Sequence, residues 1–224
     1  MTTAVLSPQL QPIFDETCIK QTIDSMINNL LDSFPDPKGL TAEARRGIIA
    51  RYSAVLEGNF IYWMTATYLS VHSAAARPIL LDNLHEEVRD SHPVMLRKFA
   101  IAAHAFPTDA DALILNDELT GVRLFLGRLS GVQSLVTMAF FEGFIQRFMP
   151  YLASLAEAQG SDELEYTDVH GVCDVAHTQG LFDALFLEMV INPLLPEADL
   201  FEGVHLLRVL IHGMVHSQGD GHPG

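Results

Sequence analysis

Apolar residues recur at intervals of three and four along almost the whole chain, and the strict alternation of a half-buried strand is nearly absent. A chain so patterned can bury its apolar faces only by packing helix on helix, so the expected fold class is all-α. Turn signals divide the pattern. A first helix is expected over 13–33, stopped by Pro35-Asp-Pro37, and a long second one over 41–73, opened by Thr41. Pro78 starts a third, to Arg89, and Pro93 fits the first turn of a fourth, to Phe106. A long helical region is expected over 110–158, bent around Gly127 and Gly131, then helices over 163–190 and 197–215. Seven helices, short connections and no internal repeat predict one bundle spanning residues 1–224, with 1–12 and 217–224 as mobile ends.

At 224 residues, 49% of them hydrophobic, the chain can bury a full core without disulfides, and nothing pairs Cys18 with Cys173. The 28 acidic residues outnumber 13 basic ones, a formal charge of −15. That balance disfavours nucleic acid and anionic membranes as partners, and an anionic substrate would need its own local Arg. The first residues lack the basic start and unbroken apolar run of a signal peptide, and no apolar stretch is long enough to span a bilayer, so a cytoplasmic location is expected.

The sharpest local signal is His170-x-x-x-Asp174-x-x-His177. On a helix, steps of four and three put all three side chains on one stripe, where imidazole and carboxylate together suit iron, manganese or zinc. An ordinary polar helix face would show the same spacing. Glu142, however, sits in Met138-Ala-Phe-Phe-Glu142-Gly-Phe-Ile, apolar around the helix, where an ionised carboxylate is costly unless it meets a cation or a dense set of donors. Glu57 repeats this pattern within the second helix, and a glycine follows each. Asp82 and Glu86 lie one turn apart and either can face inward, with His92 just beyond; Glu87 and Asp90 read as a solvated face. Counting Asp82 or Glu86 once, these are three histidines and four carboxylates from separate helices, enough for two divalent metals. The two Glu-x-x-His motifs of ferritin-like proteins are absent.

The order Glu57, Glu86, His92, Glu142, His170, Asp174, His177 resembles the haem-oxygenase-like di-iron oxidases and oxygenases, over roughly residues 45–190. The phrase Asp82-Asn-Leu-His-Glu86-Glu87 followed by His92-Pro93 is similar to that family's second-glutamate segment, although family members often have Glu where this chain has Asp82. The resemblance implies a seven-helix haem-oxygenase-like bundle in which those seven residues, with Glu86 chosen over Asp82, bind two Fe2+ ions. It further implies dioxygen as co-substrate and a small, amino-acid-derived substrate, with nitrile formation, C–C cleavage or N-oxygenation among the outcomes. An external electron donor and a homodimer are compatible with it. Phe60, Trp63, Phe140, Phe141 and Phe144 are candidates to line a substrate chamber, though aromatics at helical spacing are more often core. Arg123, Arg128 and Arg147 are candidates for a substrate carboxylate.

Other readings stay open. A thiaminase-like enzyme of the same fold would lack the metals and use a nucleophile such as Cys173, which more simply reads as a small buried residue. Haem or metal storage is disfavoured by the lack of any histidine before His72. His205, His212 and His216, without carboxylates nearby, read as surface or packing residues.

Overall fold

A computed structural model describes residues 15–217, and every side chain within them except that of Cys173. The expectations for residues 1–12, for the tail after Ser217 and for the Cys173 side chain fall outside that description. The described chain is all-helical: α1 (Glu16–Leu31), a 3-10 turn (Pro37–Gly39), α2 (Ala42–Leu56), α3 (Asn59–Ser70), α4 (Arg77–Arg89), α5 (His92–Ala102), α6 (Asp109–Leu113), α7 (Asn116–Leu126), α8 (Gly131–Ala158), α9 (Glu165–Ile191) and α10 (Glu202–His216). No described helix is long and apolar enough to cross a membrane.

The starts follow side-chain chemistry. Asp15 accepts from Cys18 N at 2.7 Å and Thr41 from Ala44 N at 3.1 Å, and Thr108 with Asp111 closes a reciprocal capping box at α6. The axis of the fold is α8, about 42 Å long at 1.5 Å per residue and buried without interruption from Gly131 to Ile145. A helix apolar all round must be surrounded, and α1, α2, α3, α9 and α10 all pack on it, α9 most extensively. Its aromatic face carries Phe144 and Phe148, one turn apart, with ring centroids 5.0 Å apart, and Phe34 and Tyr151 extend the cluster.

Among the described residues, ten α-helical segments replace the seven expected, nine of them eleven residues or longer. The expected second helix divides because Gly58 takes a left-handed conformation at φ 78°, ending α2 at Leu56 and restarting the chain as α3. The expected 110–158 region is three helices, separated at Ile114–Leu115 and again at 127–130, where Leu129 sits at φ 57°. The last helix begins at Glu202 instead of 197.

Tight packing of α10 onto the axis depends on Gly203. A Cβ there would lie 2.1 Å from Thr137 Oγ1 and 2.3 Å from a ring carbon of Phe125, both buried. Gly203→Ala is therefore expected to cost roughly 1–3 kcal/mol of stability through overpacking, measured by urea unfolding. Unchanged stability would mean that α10 packs more loosely than this geometry requires.

Candidate metal centre

The His170, Asp174, His177 stripe is a direct product of helical register. On α9 the three side chains share one face and all are buried, turned toward the α8 contact where Glu142 projects. Glu142 comes close because the next residue is glycine: a Cβ at Gly143 would stand 3.1 Å from Ile27 of α1 and 3.5 Å from Thr178 of α9. Neighbouring helices thus approach closely at Gly143, whereas around Gly58, the glycine after Glu57, a Cβ would meet nothing within 4 Å.

The donors form two groups. Glu87, His92 and His170 offer ligand atoms within 4.8 Å of one another, and so do Glu142, Asp174 and His177. All six residues are buried, and the two groups adjoin, because His170 and Asp174 are one turn apart on α9. His92 Nδ1 lies 2.8 Å from Glu87 Oε1, and the His92 and His170 rings meet edge to face at 4.4 Å. His170 Nδ1 donates to Tyr166 O at 2.8 Å, which fixes the tautomer and leaves Nε2 with its lone pair. His177 Nε2 lies 2.6 Å from Glu86 Oε2, while its Nδ1 stands 3.7 Å from Asp174 Oδ1 with no hydrogen-bond partner.

The electrostatics of Glu142 are unusual, and Glu188 supplies the comparison. Both carboxylates are essentially inaccessible to water, at 1% and 0% exposure. Burial pushes the Glu188 carboxyl up, but the backbone N–H groups of Ser73 (2.8 Å) and His72 (2.9 Å), with the Asn192 and His72 side chains, hold it below its ordinary value. Glu142 has no such cradle. Its Oε1 has no hydrogen-bond partner, and burial, then the charges of Asp174 and Glu87, drive its carboxyl well above the ordinary range. Among the described residues neither Glu142 nor Glu87 forms an ion pair with Lys or Arg. Burial and the neighbouring His92 lower the His170 imidazole to about 4, so it is neutral and ready to donate its lone pair. Burial also works against the His92 imidazolium, yet the bond to Glu87 and its charge hold that pKa above the ordinary value.

The expected residues are distributed unevenly. His92 and His170 fall in one donor group, and Glu142, Asp174 and His177 in the other. Glu57 falls in neither: α2 stops before it, its side chain is 44% exposed, and it pairs with Arg97. Glu86 is half-exposed and reaches the centre only through His177, while Asp82 is exposed. Glu87, expected on a solvated face, is the buried member of this segment at 6% exposure; Asp90 is exposed as expected and pairs with Arg89. A signal for Glu87 existed: Leu80, Asn83 and Glu87 fall at steps of three and four, and together they are the buried face of α4.

A narrow cleft of about 40 Å³ leads to the first group, lined by Phe60, Leu96, Tyr166, Glu142, His92 and His170, with Glu57 and Arg97 also on its wall. That volume holds a few water molecules and no more. Of the expected chamber aromatics only Phe60 lines it; Trp63, Phe140, Phe141 and Phe144 are core, with Trp63 packed edge-on to Phe141 at 5.1 Å. The expected arginines are engaged elsewhere: Arg123 with Asn59, Arg128 with Glu202, and Arg147 with Asp24 and Asn28. Arg97 is the arginine at the cleft. Sequence reasoning also missed the tyrosine pair beside the centre, Tyr52 and Tyr166, whose hydroxyls are 2.8 Å apart and whose burial raises both pKa values.

Set against known proteins, the chain matches no protein-family model and no curated sequence.

A pH test isolates Glu142 in the metal-free protein. A carboxyl whose native pKa lies above its unfolded value is most stabilising in acid, and that contribution is lost as pH rises past the unfolded value toward the native one. His170 acts oppositely, adding stability as pH climbs from about 4 to 6.5, but does so equally in wild type and variant. Glu142→Gln should therefore gain on wild type by up to about 1.4 kcal/mol per pH unit above the ordinary carboxylate range. Urea unfolding across a pH series measures the difference, and parallel curves would refute the assignment.

Proposed function

We propose that this chain is a non-haem di-iron protein of haem-oxygenase-like architecture that uses dioxygen to oxidise a small, amino-acid-derived substrate. The observation that carries the reading is the buried pair of donor groups around Glu142. Imidazole with carboxylate is a donor set for iron, manganese or zinc, and a partnerless Glu142 Oε1 and His177 Nδ1 in the same buried space are what divalent cations would satisfy. In this reading Glu87, His92 and His170 hold one ion and Glu142, Asp174 and His177 the other. Glu86 replaces no ligand; it accepts from His177 Nε2 and orients that ring. Glu57 is left at the cleft wall.

When bound, such a pair of ions supplies dioxygen chemistry. The protein's own contribution is separate. Glu142 and Glu87 lower the charge of the centre, and the α8–α9 contact keeps bulk water out. Tyr166 O sets the His170 tautomer, and Phe60 and Leu96 present an apolar wall to an incoming substrate. The narrow cleft favours a second reading, a metal-binding protein without an organic substrate. Oxygen consumption with and without candidate amino acids separates the two.

Anaerobically loaded protein is expected to hold close to two irons per chain by metal analysis. Glu142→Gln, Glu87→Gln and His177→Ala should each lose at least one, while Glu57→Gln and Asp82→Asn keep both. Hydrogen exchange over residues 166–182 should slow on iron addition, because the donors crowd one face of α9 until metal compensates them. Full iron content in both Glu142→Gln and Glu87→Gln would end the proposal.

A further inference from the structure

A cavity much roomier than the cleft lies away from the metal centre. About 560 Å³ opens between the first turns of α2, the 35–41 linker, Asp111 of α6 and the end of α10, within the range of small-molecule sites. Its walls are apolar at Leu40, Ile48 and Val215 and carry Arg46, Arg51 and Asp111.

Arg51 is the unusual member. It is only 4% exposed, and its Nε donates to Met214 O at 2.8 Å. Its terminal nitrogens make no hydrogen bond and no ion pair among the described residues. Nη1 passes so close to Gly47 that a Cβ there would stand 2.8 Å away. The nearby carboxylate, Asp111, helps Arg51 only through its charge and makes no ion pair with it: it takes Arg46 at 2.7 and 3.2 Å and also accepts from Thr108. Glu43 is exposed at the rim, in solvent, and His216 on the far wall is exposed as well.

Glu142 can relieve its burial by taking up a proton. A guanidinium has no such exit, because it stays charged at every physiological pH. A buried, uncompensated cation is costly, and the natural remedy is an oxyanion that accepts two of its N–H groups. The first turn of α2, whose Thr41, Glu43 and Ala44 also line the cavity, adds the positive end of a helix of 15 residues.

We infer that this cavity is a second ligand site, in which Arg51 binds the oxyanion of a small organic anion, a carboxylate or a phosphate ester, whose apolar body packs on Leu40, Ile48 and Val215. This site is independent of the metal centre and of the activity proposed for it. It also fits the charge of the whole chain: at −15 the molecule repels anions, so an anionic ligand requires a local cation freed from its own carboxylates.

The test uses calorimetry and thermal unfolding of the full chain with benzoate, phenyl phosphate, inorganic phosphate and neutral benzyl alcohol, at constant ionic strength. One equivalent of benzoate or phenyl phosphate should bind and, at ten times its Kd, raise Tm by about 3–6 °C. Preference between the two distinguishes a carboxylate site from a phosphate-ester site. Arg51→Met should abolish the binding while keeping a cooperative unliganded melting transition, which shows that the variant is folded although Met214 O has lost its donor. Gly47→Ala should weaken binding at least tenfold with every charge retained, because the new methyl displaces Nη1. His177→Ala should bind as wild type, which keeps this result separate from the metal centre. Binding of benzyl alcohol as tight as that of benzoate, binding of inorganic phosphate alone, no binding by any probe, or full binding by Arg51→Met would each overturn the inference.

Discussion

The architecture turns on one contact, that of α8 with α9, and on the carboxylate of Glu142 buried within it. Everything around α8 is arranged to exclude water, and Gly143 lets α1 and α9 close to within van der Waals distance of its backbone. Burial of that quality favours apolar side chains by roughly 25 cal/mol per Å², and the same dryness penalises any ionised group left inside. A sequence that nevertheless places Glu, Asp and His at facing positions of its two longest helices sacrifices stability there. Such local conflict with the rest of the pattern is what a functional site looks like in a fold that is otherwise consistent.

Three buried charges in this chain have three different resolutions. Glu188 is wrapped by the N–H groups of the α3–α4 connection and serves the fold, joining α9 to that turn. Glu142 has no donor at Oε1 but does have neighbouring histidines and carboxylates converging on a common space, an arrangement that, under the proposed function, a cation would complete. Arg51 has no carboxylate within ion-pair distance among the described residues and faces open volume, an arrangement that, under the inference above, an anion would complete. Burial alone therefore says little about role. The partners present at each charge, and the space in front of it, separate structure from ligand binding.

How much of this was legible in the sequence depends on whether residues share a helix. Within one helix each residue advances by 100°, so the relation of His170, Asp174 and His177 follows from their spacing alone. The apolar environment of Glu142 was equally readable, because every neighbour at three and four lies on the same helix. Across a break the register resets. Gly58 at φ 78° ends α2, and Glu57 turns to Arg97 and away from the core. Ser91 at φ 59° divides α4 from α5, and the bond between Glu87 and His92 crosses that break. Which glutamate of Glu86-Glu87 faces inward depends on the rotation of α4 about its own axis, and Leu80 and Asn83 fix that rotation toward Glu87. The helix count failed for the same reason at Gly58 and Leu129, where single left-handed residues split stretches whose apolar periodicity runs on unbroken; the break at Ile114–Leu115 contains no left-handed residue.

Those breaks also bear on access to the centre. The cleft beside His92 and His170 has room for dioxygen or a few waters, and Glu57 and Arg97 stand on its wall. Their ion pair is exposed on both sides, at 44% and 57%, so it contributes no more than about 1 kcal/mol to holding α2 against α5. Glu57 and Gly58 already stand outside both α2 and α3, and a Cβ at Gly58 would meet nothing within 4 Å. Motion of the Glu57 and Arg97 side chains therefore breaks one weak pair, whereas motion at the α8–α9 contact would expose the driest part of the core. Entry of an organic substrate under the proposed function is accordingly least costly past Glu57 and Arg97, and the rigid α8–α9 pair keeps the donor geometry while the opening changes.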